Sequence, residues 1–195
     1  MNLIKENNNT KKILINHLSD FNLSQLKNSE INIFKNKKIL ITGASGVIGI
    51  NLLFFLNKIN IKKKLNIQID ATYNTSIFNF VVNYFKRDKK IKFIKIDLTN
   101  KKIKKEKKYH FIFHCAGYGQ PAKFLKFKSS VYKLNSNVII DLKDNLKKKG
   151  KFIYLSTTEI YSGNEKKCNE ESVGYTDATH PRSSYIDSKR FGESY

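Results

Sequence analysis

Residues 38–59 read KILITGASGVIGINLLFFLNKI, and the texture changes twice within them. Residues 39–41 are an unbroken apolar run of the length of a buried strand, and the stretch from Val47 to Ile59 is apolar enough for a helix packed on a core. Between the two, Gly43, Gly46 and Gly49 stand three residues apart. Glycines in that place permit a tight turn, let the backbone approach a pyrophosphate and allow close packing of helix on strand, while the helix amino terminus favours phosphate charge. The spacing differs from G-x-G-x-x-G but the structural place is the same. Glycines can also make a turn without any ligand, yet three of the chain's nine fall here, between a strand and a helix. That context favours nucleotide binding.

Outward from this unit, further strands are expected in LNIQIDATY from 65, IKFIKIDL from 91, YHFIFHCA from 109 and KFIYLS from 151. The segments between them are long enough for helices, and this alternation predicts an α/β fold with a parallel sheet and helices on both faces. Residues 131–150 carry helix-like apolar spacing, a lysine-rich end and Gly150 at the place of a cap, so one helix is expected there. Residues 1–12 are polar and read as frayed, and residues 13–26 as a short helix (Ile13, Leu14, Leu18, Phe21). The expected organisation is a polar tail and helical extension over 1–36, then one nucleotide-binding domain over 37–195. A chain of 195 residues suits one domain with a buried core.

The net charge of +21 would suit a phosphate-bearing partner or an anionic membrane. All but three of the 37 basic residues (Arg87, Arg182 and Arg190) are lysines, however, and their runs at 35–38, 62–64, 101–108 and 147–149 fall between apolar segments. A solvated surface explains that distribution, and a reader of base sequence would show more arginine or interleaved aromatics. No apolar run reaches the ~18 residues of a membrane span, and residues 1–14 show no cleavable leader, so a cytoplasmic location is expected. Cys115 ends an expected strand and Cys168 lies in a polar loop, with no spacing that points to a metal or a bridge. His110 and His114 alternate along one strand without clustered carboxylates, so packing or backbone contacts are expected of them and no metal site.

Proton chemistry enters with Tyr185 and Lys189, four apart and therefore on one helix face, where an ammonium lowers a phenol's pKa toward the range of a usable base. Alone the pair means little, since about 1.7 such pairs arise by chance in this composition. Order gives it weight: the glycine turn, Asp97 at the end of the third expected strand, HCAG at 114–117, Asn135 in a helix and STTE at 156–159 all precede it. Asp97 reads equally as a turn residue or as an acceptor for an adenine amino group.

With these motifs in place the chain resembles an extended short-chain dehydrogenase/reductase of the NAD-dependent epimerase/dehydratase family, over residues 38–195. The resemblance implies a Rossmann-like doubly wound sheet and a T-G-x-x-G-x-x-G turn at Thr42, Gly43, Gly46 and Gly49, with Ser45, Val47 and Ile48 in the same loop. Asp97 and Leu98 would meet the adenine, and Ala116 and Gly117 would lie under the cofactor. Tyr118 and Gln120, in YGQPAKF, are candidates for the nicotinamide side, with a loop in which Pro121 serves only as a turn an equal reading. The family's S-T-x-E-x-Y pattern maps onto Thr157, Thr158, Glu159 and Tyr161, and Thr157, Tyr185 and Lys189 would form the catalytic triad, with Glu159 beside it. The implied reaction oxidises a sugar C4 hydroxyl of a nucleotide sugar, most readily a UDP-sugar, with NAD as the cofactor and NADP left open. Dehydratases of the family place an acidic pair after the threonine, whereas Thr158 and Glu159, with SKRFGE at 188–193, look more like UDP-glucuronate decarboxylases. A role in polysaccharide synthesis and a homodimer for a full-length form also follow from the resemblance.

Two departures qualify this picture. The acid that grips the adenosine ribose after the second strand is not clearly placed, because Asp70 lies inside IQIDATYN and Asn74 nearer its end. Family members also continue past the Y-x-x-x-K helix, so the last strands and the substrate-binding region are expected to be missing and turnover by this chain alone to be inefficient. A dinucleotide-binding fragment or scaffold without catalysis, and less favoured a basic nucleic-acid binder, are the competing readings.

Overall fold

A computed structural model describes residues 3–4, 7–164 and 167–195. The elements run β1 (Leu3–Ile4), α1 (Asn8–Ser19), α2 (Asn28–Asn32), β2 (Lys38–Thr42), α3 (Val47–Lys62), β3 (Gln68–Tyr73), β4 (Ile77–Phe78) and α4 (Asn79–Tyr84). Then follow β5 (Ile91–Lys95), β6 (Tyr109–His114), α5 (Pro121–Lys126), α6 (Lys128–Asn135), α7 (Asn137–Lys143), β7 (Leu146–Tyr154), a 3-10 turn (Thr158–Tyr161) and α8 (Ser183–Ser194). Five strands form one parallel sheet in the order β5-β3-β2-β6-β7. With the sheet strands counted in chain order this is 3-2-1-4-5, the doubly wound arrangement in which ligands sit at the carboxyl ends beside the central strand.

Strand alternation explains the layering. Ile39 and Ile41 of β2 point into a core with Leu53, Phe54 and Phe80, whereas Leu40 between them points into a second core with Ile112, Val138 and Leu142. Both faces of β2 are therefore covered, which is why its central residues, 39–41, are all apolar. Each such fully buried side chain contributes about 2 kcal/mol relative to exposure.

The amino-terminal segment packs as part of this domain. Helix α1 begins at Asn8, within the stretch expected to fray, and Leu18 and Ile31 join the same core as Ile39 and Leu53. The Lys58 ammonium on α3 donates to the carbonyls of Ser19 and Phe21, both at 2.6 Å, and fixes the end of α1. Met1, Asn2, Lys5 and Glu6 lie outside the described residues.

The single helix expected over 131–150 is corrected by the structure. It is broken at Ser136 (φ −130, ψ −83) between α6 and α7, where the Ser136 hydroxyl bonds to the Tyr132 carbonyl and to Asn137, a local competition with the helical ladder. Helical structure then ends at Lys143, because buried Asn145, just ahead of β7, is tied to the neighbouring loop and strand: its amide donates to the carbonyls of Lys104 and Lys107, and its carbonyl accepts from the Tyr109 N–H. The register runs from Tyr109 opposite Leu146 to Phe111 opposite Lys151, so the lysine run at 147–149 and Gly150 bulge out of the ladder.

Candidate functional site

The turn between β2 and α3 is built so tightly that two of its glycines are obligatory. Gly43 has φ +66, and a Cβ there would lie 2.7 Å from the backbone of Ala116. A Cβ on Gly49 would lie 2.3 Å from the Gly43 carbonyl oxygen. Gly46 differs: its backbone is extended (φ −81, ψ 166), and a Cβ would meet only that same oxygen at 3.4 Å. The protein itself does not require glycine at 46, yet this is the residue capping α3, where the unpaired N–H groups of the first turn favour an anion.

Beneath the turn runs a chain of hydrogen bonds. The Ala116 N–H donates to Thr42 Oγ1 at 3.2 Å, Thr42 Oγ1 lies 2.9 Å from His114 Nδ1, and His114 Nε2 lies 2.9 Å from the Leu134 carbonyl. The carbonyl can only accept, so Nε2 carries a proton, and in the neutral imidazole that burial favours Nδ1 accepts from the Thr42 hydroxyl. Burial pushes its pKa down to about 4, more than the Leu134 bond raises it, and the nearby Lys189 charge lowers it further. The unfolded chain takes up a proton at its ordinary 6.5 while the folded chain does not until about 4. Stability is therefore expected to be full above about 6.5 and to fall by about 3 kcal/mol as pH drops to about 4. Urea titrations across that window check this, and His114→Gln should flatten the dependence.

A cleft of about 260 Å³ opens over the turn at the carboxyl ends of β2, β3, β5 and β6. Gly43, Ser45 and Gly46 form its floor, with Asp97 and Leu98 on one side and Ala116 and Gly117 on the other. These predicted residues are thus brought together. Thr42 and Gly49 lie buried beneath, and Val47 and Ile48 stand exposed on the first turn of α3. Asp97 also holds its own loop: Oδ1 accepts from the Thr99 N–H at 3.0 Å and hydroxyl at 2.7 Å, and Oδ2 from Asn100 at 2.9 Å. Burial acts to raise its pKa, but these bonds and the Lys133 charge outweigh it, and the carboxyl is held below its ordinary value. Tyr118 lines this cleft, whereas Gln120 caps α5.

The two candidates for the ribose-gripping acid part company. Asp70 is buried within β3, where Oδ2 accepts from the Tyr109 hydroxyl at 2.7 Å and pairs with Lys107 at 3.1 Å, near the amino ends of the strands. Asn74 lines the cleft, together with Thr75 and Ser76, which the sequence did not single out.

Tyr185 and Lys189 share a face of α8, as their spacing predicts. The Tyr185 ring stacks on Phe124 of α5 (4.3 Å, 7°) and, with Val131, forms a small core against which Tyr118 packs, so the cleft and this helix are continuous. The Lys189 ammonium is buried, donates to the Leu155 carbonyl at 2.6 Å and sits 5.9 Å from the Tyr185 ring centroid and 4.7 Å from that of Tyr154. Burial lowers its pKa to about 8, against a raising contribution from Glu193. Asn135 donates to Ser188 Oγ at 3.0 Å, and its own Oδ1 is buried without a protein partner among the described residues. Thr157 Oγ1 accepts from the Glu159 N–H at 3.3 Å and caps the 3-10 turn, while Glu159 is engaged by Arg182 at 2.9 Å. Tyr154 and Arg182 are contacts that no local sequence signal announces.

His110 accepts the Lys38 N–H at 3.0 Å, and Cys115 is a half-buried thiol whose pKa burial raises to about 11. Among the described residues no group of three or more His, Cys, Asp or Glu side chains could hold a metal ion, and no helix is long and apolar enough to cross a membrane. A larger concavity of about 400 Å³ lies on the outer side of β7, between α7 and α8, and contains none of the predicted residues. The open space at Gly46 and the helix end behind it fit the pyrophosphate of a dinucleotide, and the flanking loops leave room for its adenosine.

Comparison with known proteins agrees. The chain is 32% identical over 164 residues to the bifunctional polymyxin resistance protein ArnA of Wigglesworthia glossinidia brevipalpis, covering 76% of this chain and 23% of that protein. Its fold is similar to that of the epimerase Mth375 of Methanothermobacter thermautotrophicus (TM-score 0.64, 19% identity, 86% of this chain and 48% of that one). It is also similar to the UDP-Glc/GlcNAc 4-epimerase of Campylobacter jejuni (TM-score 0.59, 21% identity, 80% and 47%). The chain thus spans about half the length of these structures and under a quarter of the curated relative. A family model matches residues 39–195, the span from the first sheet strand through Lys189, and the chain belongs to the NAD dependent epimerase/dehydratase family.

Proposed function

We propose that this chain is the cofactor-binding and proton-transfer portion of an enzyme that oxidises the C4 hydroxyl of a nucleotide sugar. The observation that carries this reading is the buried Lys189 ammonium, held by the Leu155 carbonyl beside Tyr185, next to a cleft that fits a dinucleotide. When bound, the nicotinamide dinucleotide supplies a hydride acceptor and donor. Tyr185, as the phenolate that the Lys189 charge stabilises, takes the proton from the sugar hydroxyl and becomes the neutral phenol. Thr157 hydrogen-bonds the reacting oxygen, and Arg182 orients Glu159 beside it. Gly43, Gly46 and the first turn of α3 hold the pyrophosphate, with Ser45, Val47 and Ile48 around it, while Asp97 and Leu98 meet the adenine.

The resulting 4-keto sugar can be reduced on its other face, lose water or lose a neighbouring carboxylate. Thr158 stands where a dehydratase would carry an acid, which supports epimerisation or decarboxylation of a UDP-sugar. The sugar, a homodimer and the cytoplasmic setting belong to this proposal, since the chain spans about half of its structural relatives. The test is product formation from UDP-glucose and UDP-glucuronate, followed by chromatography with and without added NAD. Tyr185→Phe should lower the rate by about 1000-fold while leaving dinucleotide affinity within about threefold. An equal rate in the variant would remove Tyr185 from the chemistry.

A further inference from the structure

We infer that the adenosine end of the cleft accepts a 2′-phosphate, so that the chain binds NADP at least as readily as NAD. The inference rests on the dinucleotide reading of this cleft and concerns what residue 74 does within it. A carboxylate at the end of the second sheet strand hydrogen-bonds a free ribose 2′-hydroxyl and repels a phosphate in its place. Here that position is Asn74, followed by Thr75 and Ser76: an amide and two hydroxyls, all able to donate and none charged.

No neighbouring acid substitutes for the missing one. Asp70 is buried inside β3 with Oδ2 committed to the Tyr109 hydroxyl at 2.7 Å and to Lys107 at 3.1 Å, and it lies near the opposite ends of the strands. Asp97 is the one carboxylate lining the cleft among the described residues, and it follows β5, with donors from Thr99 and Asn100 on both oxygens. The loop at 74–76 is also fixed in place, running directly from β3 into β4, which pairs with β1 at Leu3–Ile4. To this local neutrality the chain adds a net charge of +21, whose field favours the more anionic dinucleotide.

The experiment is calorimetric titration of the 195-residue chain with NADH and with NADPH at about 150 mM salt, repeated for Asn74→Asp. Asn74 is exposed, so the variant is expected to fold, and circular dichroism verifies it. The inference expects a Kd for NADPH no more than about threefold above that for NADH, and at least about a tenfold relative loss of NADPH affinity in the variant. NADH binding more than about threefold tighter to the parent would overturn the inference and leave the dinucleotide reading intact. An Asn74→Asp ratio shifted by less than about tenfold would overturn the assignment to residue 74. If neither dinucleotide binds, the reading of the cleft falls and the inference with it.

Discussion

Gly46→Ala is expected to unfold with the parent chain and to lose dinucleotide affinity, whereas Gly49→Ala loses a large fraction of its folding stability. At 49 a Cβ comes within 2.3 Å of the Gly43 carbonyl oxygen and 2.8 Å of Ala44 Cα, both backbone atoms that cannot swing aside. Helix α3 must lift off the turn, at a cost of about 3 kcal/mol, a large fraction of the stability of a domain this size. At 46 the extended backbone admits alanine, and the single contact at 3.4 Å is ordinary, so the cost stays within about 1 kcal/mol. The added methyl then occupies the space that a pyrophosphate would need against the helix end, and affinity for NADH or NADPH should fall at least about tenfold. Urea denaturation and titration calorimetry separate the two effects. A Gly46→Ala chain that binds like the parent would make the turn purely structural.

Lys189→Met is expected to stabilise the folded chain at pH 7 while abolishing any turnover. Burial holds the Lys189 ammonium at a pKa of about 8 against 10.5 in the unfolded chain, a penalty of about 3 kcal/mol on keeping it charged in the fold. The 2.6 Å bond to the Leu155 carbonyl returns about 1 kcal/mol of this and is lost in the variant. The net gain for methionine is about 1–2 kcal/mol. The sign follows from proton uptake: between about 8 and 10.5 the unfolded chain binds the proton that the folded chain has released, so the parent gains stability as pH rises through that window. The advantage of Lys189→Met should therefore be largest below about 8 and vanish toward 10.5, in paired denaturation curves at pH 7 and pH 10. A variant less stable than the parent at pH 7 would mean that Lys189 sits in the fold without strain, and the idea that stability is given up here for chemistry would be wrong.

The α/β class, the strand–turn–helix unit and the pairing of Tyr185 with Lys189 were legible because each is set by neighbours within a few residues. The apolar run at 39–41 and the largely apolar stretches at 91–94 and 109–113 have strand length, and the glycines at 43, 46 and 49 fall between the first of them and a helix. Position four residues on along α8 puts Lys189 beneath Tyr185 whatever the rest of the chain does. The residues 131–150 misled because helical spacing, basic residues and a terminal glycine all argued locally for one helix, while the contacts that end it reach back 41 and 38 residues to Lys104 and Lys107.

What the amino-acid sequence determined by itself was therefore the order of elements and the chemistry placed at their ends, since periodicity and turn chemistry are local. Only the tertiary structure decided which groups face one another: Thr42 with His114, 72 residues away, Asp70 with Tyr109 rather than with the cleft, and Lys189 against Leu155. Those contacts fix burial, and burial fixes charge, so the neutral state of His114 and the lowered pKa of Lys189 belong to the fold and to no single stretch of the chain.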